Sequence, residues 1–112
     1  MIEVITYAQC RLRVPAEENY RQYIEDELNR LDGEIVTEQI VSIDKPARNQ
    51  TTWSLESRVL ARFILHMPEQ NPAKKVDEYI EHVVPFLKRH VPKCNHIDST
   101  RIIQLKRALN LE

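Results

Sequence analysis

His90, Cys94, His96 and Asp98 fall within nine residues, and each carries a side chain that zinc accepts. The spacing, His-x3-Cys-x-His, matches no common structural zinc motif, and no second cysteine pair completes a tetrahedral set. Position supplies the competing reading. Lys88, Arg89 and His90 end a helical pattern, where cations complement the helix dipole, and a polar loop follows. His90, Cys94 and His96 are therefore the metal candidates, outweighed by the structural reading, and no cofactor is expected. His66 and Tyr7 are the side chains suited to proton transfer in a small-molecule enzyme. No Ser-His-Asp set can be assembled from the spacing. Cys10 has no base nearby to activate it and reads as a small buried hydrophobe. Glu25, Asp26 and Glu27 read as the solvated side of a helix. Arg11, Arg13, Arg58 and Arg62 remain, and guanidinium groups grip phosphates and carboxylates.

These side chains are positioned by two alternating stretches. From Thr52 to Met67 the period is two: Trp53, Leu55, Ser57, Val59, Ala61, Phe63, Leu65 and Met67 form a core face with Ser57 as its polar exception. Arg58, Leu60, Arg62, Ile64 and His66 point the other way. Ile2 to Val14 alternates in the same manner, with even positions inward and Ile5, Tyr7, Gln9, Arg11 and Arg13 outward. Between them, Pro15 and the acids Glu17 and Glu18 suit the first turn of a helix, and Tyr20, Ile24, Leu28 and Leu31 give its apolar stripe. Asp32-Gly33 reads as its C-cap. Glu34 to Asp44 is a strand with Ile35, Val41 and Ile43 on one face and Val36 and Ile40 on the other. Asp44 to Gln50 is a polar turn leading into the long strand. Asn71-Pro72 caps a second helix along Val76, Tyr79, Val83, Leu87 and Val91, with Pro85 expected to kink or split it. For residues 99–110, Ile102-Ile103 favours a fourth strand, with a short helix as the alternative.

The resulting order is the ferredoxin-like split βαβ order: a βαββαβ sandwich of antiparallel sheet with two helices on one face. In that arrangement the first and third strands are central neighbours. Their outward side chains, Ile5, Tyr7, Arg11, Arg13, Arg58, Leu60, Arg62 and Ile64, then share one open surface. Aliphatics rimmed by arginines suit a protein interface, either a homodimer or a protein partner. Nucleic acid is the alternative, although Tyr7 is the lone aromatic where base-stacking sheets carry several. The third reading is an enzyme of the dimeric α+β type, with its pocket between sheet and helices.

Composition narrows the field. The 112 residues fit one domain, residues 1–112. A lone glycine, Gly33, leaves no glycine-rich phosphate loop. Residues 1–45 carry ten acids against five bases and residues 46–112 seven acids against eleven bases, so the net charge of −1 conceals polarity between elements. Strong polyanion binders show a larger positive excess. No apolar run is long enough to span a membrane, and MIEVITYAQC lacks the pattern of a secretory signal. With two cysteines and no disulfide framework, the expectation is a cytoplasmic binding or regulatory protein without catalytic chemistry of its own.

Overall fold

The two alternating stretches find each other. In a computed structural model, which describes residues 2–31, 33–68 and 76–107, they pair antiparallel from Ile2–Met67 to Arg13–Glu56. The elements in chain order are β1 (Ile2–Arg13), α1 (Tyr20–Asn29), β2 (Ile35–Ile43), β3 (Ala47–Arg48), β4 (Leu55–Met67), α2 (Val76–His90) and β5 (Cys94–Arg107). The sheet runs β2-β4-β1-β5, with β3 added on β4, and every pairing is antiparallel.

The four-stranded ferredoxin-like βαββαβ sandwich is thereby corrected to a strand-dominated sheet of five antiparallel strands with two helices. The difference originates locally, in the segment expected to be a plain polar turn. Asn49 N–H donates to Ser54 O and Trp53 N–H to Asn49 O, each at 2.8 Å. That closure folds Ala47 and Arg48 back against Glu56 and Leu55 as a strand of their own. Trp53, expected on the core face, is instead 67% exposed at the tip, with a left-handed φ of 60°. The long strand starts two residues later, at Leu55. The last element is a strand through Arg107; residues 108–110 lie outside those described.

Ile2, Val4, Ala8, Cys10 and Leu12 from β1 and Val59, Ala61, Phe63, Leu65 and Met67 from β4 make the sheet side of one core. Ile24 and Leu28 of α1 and Tyr79, Val83 and Leu87 of α2 close it from above. Thr6 sits in this face without penalty, because its hydroxyl donates to Arg101 O at 2.9 Å. Ser57 is different: its hydroxyl is buried and finds no partner in the described structure.

α1 differs from expectation at its ends, and α2 at Pro85. α1 begins at Tyr20, because Asn19 adopts φ 58°, a left-handed conformation that breaks a helix and that Asn tolerates better than most residues. Glu17 and Glu18 thus precede the helix. Its C-cap is Arg30, and Gly33 does not take a positive φ. Thr37 of β2 donates to Leu28 O at 2.7 Å, satisfying one carbonyl at that end. The Asn71-Pro72 cap lies outside the described residues. α2 runs unbroken through Pro85. An interior proline costs about 3 kcal/mol, whereas fully burying Tyr79, Val83 and Leu87 returns roughly 1.5–3 kcal/mol each. Packing wins, and exposed Pro85 is tolerated.

Candidate functional site: the open face of the sheet

With both helices on the core side, the opposite face of the sheet carries no further element among the described residues. Its centre is fixed by the β1–β4 register: Ile5 opposite Ile64, Tyr7 opposite Arg62, Gln9 opposite Leu60, and Arg11 opposite Arg58. Ile5 is 7% exposed, and Tyr7, Leu60 and Ile64 are half-buried by neighbouring side chains alone. Arg13 is exposed at the end of β1, opposite Glu56.

The edge strands extend this surface. Val36 and Val41 of β2 are each 46% exposed. Val36 faces Ile64, as alternation places it. Val41 corrects the expectation that it shares a face with Ile35 and Ile43. Register shifts between Thr37 and Gln39 and between Ile40 and Ser42 turn Ile40 towards the core and leave Val41 beside Tyr7 and Leu60. Such shifts reset strand alternation and escape period counting. Val41, Tyr7, Gln9 and Leu60, together with Gln39, Ser99, Thr100 and Arg101, line an open hollow of about 470 Å³.

The arginines are not free. Asp98 accepts both Arg11 Nε (3.1 Å, at Oδ2) and Arg11 Nη2 (2.8 Å, at Oδ1), a bidentate pair. Arg58 Nε lies 3.5 Å from the same carboxylate and His96 Nε2 3.6 Å from it. Arg62 donates to Glu38 at 3.2 Å and lies over the Tyr7 ring, 5.8 Å from its centroid. The Tyr7 hydroxyl, and then Glu38, push the Arg62 pKa further up, so its charge is permanent. Three of the four arginines are thus engaged within the molecule, Arg11 and Arg58 sharing the single Asp98 carboxylate. At the β3 end, Arg11, Arg58, Lys45 and Arg48 line a second hollow of about 560 Å³, shared with Asp44 and Glu56.

Glu56, opposite Arg13 near the start of β4, is 8% exposed. It accepts Asn49 Nδ2 at 2.9 Å and Asn95 Nδ2, joining the β3–β4 hairpin to β5. Its two partners lie 7 and 39 positions away in the chain, so pattern alone carried no sign of this buried carboxylate.

The acid–base candidates are not brought together. His66 lies opposite Glu3, 3.8 Å from its carboxylate, four positions along β1 from Tyr7, or about 13 Å. The space between sheet and helices, where an enzyme of the dimeric α+β type would hold substrate, is filled by fully buried Ile24, Leu28, Phe63, Tyr79 and Leu87. The metal candidates are likewise divided. His90 packs on Phe86, with ring centroids 4.3 Å apart. Cys94 lies opposite Leu12 on the core side, and His96 opposite Arg11 on the open side. Among the described residues no three His, Cys, Asp or Glu side chains converge on a metal-sized site, and no helix is long and apolar enough to cross a membrane.

Comparison of the chain with protein-family models, curated proteins and solved structures returns no match.

Proposed function

We propose that this is a non-catalytic binding protein that uses the open face of its sheet to pair with a second copy of itself. The observation that carries the reading is that face: an apolar centre of Ile5, Tyr7, Leu60 and Ile64, flanked by Val36 and Val41, with both helices on the other side. Val36 and Val41 are exposed and Tyr7, Leu60 and Ile64 half-buried, and contiguous apolar side chains at a surface mark association sites. Size agrees. A strand of 12 residues at ~3.3 Å each, across four strands ~4.8 Å apart, gives roughly 700 Å². A stable interface takes about 800 Å² from each partner.

Charge separates this reading from the polyanion alternative. A phosphate backbone would have to compete with Asp98 for Arg11 and Arg58 and with Glu38 for Arg62. A protein surface makes no such demand, because arginines already paired inside the molecule form a rim of low desolvation cost. Two-fold symmetry places each apolar centre on its counterpart. A cytoplasmic setting belongs to the same proposal.

The test is the double variant Leu60→Glu with Ile64→Glu, which sets four carboxylates into a paired interface and leaves the core face intact. The variant is expected to keep its circular dichroism spectrum and run at the mass of one chain where the unmodified protein runs at two. Equal masses for the two proteins would overturn the reading.

A further inference from the structure

Cys10 and Cys94 stand 84 positions apart in sequence, yet β1 and β5 carry them to the same spot on the core side. Cys94 is the register partner of Leu12, and Leu12 shares a face with Cys10 two residues earlier. Cys10 is 2% exposed, while Cys94 is half-buried and its thiol donates to His96 O at 3.4 Å. The half-buried Cys94 side chain is in contact with that of buried Cys10.

We propose that Cys94 and Cys10 form a redox modification site, in which hydrogen peroxide oxidises Cys94 and Cys10 resolves it to an intramolecular disulfide. Their surroundings favour the thiolate at Cys94 over Cys10. Contact with Cys10 lowers the Cys94 pKa against the opposing effect of burial, with Lys88 helping, while the same contact and burial push Cys10 up. The Cys94 thiolate attacks a peroxide oxygen; an S–O bond forms, the O–O bond breaks, and the departing oxygen takes a proton and leaves as water. Cys10 sulfur then attacks the Cys94 sulfenic acid; the S–S bond forms, the S–O bond breaks, and the hydroxyl leaves with the Cys10 proton as a second water. Two thiols lose two electrons and the peroxide gains them. The bridge pins the start of β5, whose next residues present Asn95 to Glu56 and Asp98 to Arg11 and Arg58.

The full chain is treated with hydrogen peroxide, then unfolded and alkylated with N-ethylmaleimide before intact-mass measurement. The expected product has lost two hydrogens, takes up no maleimide, and regains both labels after dithiothreitol. Its melting temperature exceeds that of the reduced protein. In Cys10→Ala, Cys94 is expected to stop at a sulfenic acid that dimedone traps. In Cys94→Ala, which alters only a half-buried side chain, Cys10 is expected to remain unoxidised. Two alkylatable thiols after peroxide, a disulfide joining two chains, or oxygen addition without a bridge would each overturn the proposal.

Discussion

Asp98 is the residue that most shapes the open face. By holding Arg11 in a bidentate pair and drawing Arg58 and His96 towards the same carboxylate, it offsets part of the charge of a cationic strip. Ser57 makes the opposite point on the core side. Its hydroxyl is wholly buried with no partner, and an unsatisfied buried group of this kind costs about 1–3 kcal/mol. Ser57→Ala should therefore raise stability by about 1 kcal/mol, read as a higher urea midpoint with unchanged slope. A lower midpoint would mean that the hydroxyl is satisfied after all. Of these two residues only Ser57 could be noticed in the sequence, as the polar exception in an apolar alternation. The grip of Asp98 on Arg11 could not, because the two are 87 positions apart and only the β1–β5 pairing joins them.

Among the elements, the β3–β4 hairpin depends on one side chain. Asn49 Oδ1 accepts Thr51 N–H at 2.8 Å and Thr52 N–H at 3.0 Å, while its Nδ2 donates to buried Glu56. Asn49→Ala removes all three bonds and leaves the Glu56 carboxylate with Asn95 alone. The expected loss is about 1–3 kcal/mol, with accelerated amide exchange from Ala47 to Leu55 ahead of the rest of the sheet. Unaltered exchange across that segment would contradict this account of the hairpin. The same region shows where pattern reading stops. β1 and β4 were legible because each is half-buried, and burial on one side writes a period of two into the residue types. The alternation ran on through Trp53 only because nothing in residue identity marks a left-handed backbone at that position. β2 was legible as a strand but not in its faces, since two register shifts reset the alternation around Val41. The short β3 has two residues and no periodicity to read.

At the scale of the whole molecule, the five-stranded sheet with helices on one side leaves its other side to be covered by something else. The βαββαβ sandwich expected from the sequence gives way to a strand-dominated five-stranded sheet; of that expectation the β1–β4 pairing is seen, and the strand added at the Arg48 end was missed. The central claim is that a second copy supplies the cover, so mass in solution tests it most directly. Sedimentation equilibrium of the unmodified protein across a range of concentrations should approach twice the 13.3 kDa chain mass. A mass that stays at 13.3 kDa at every concentration would contradict it.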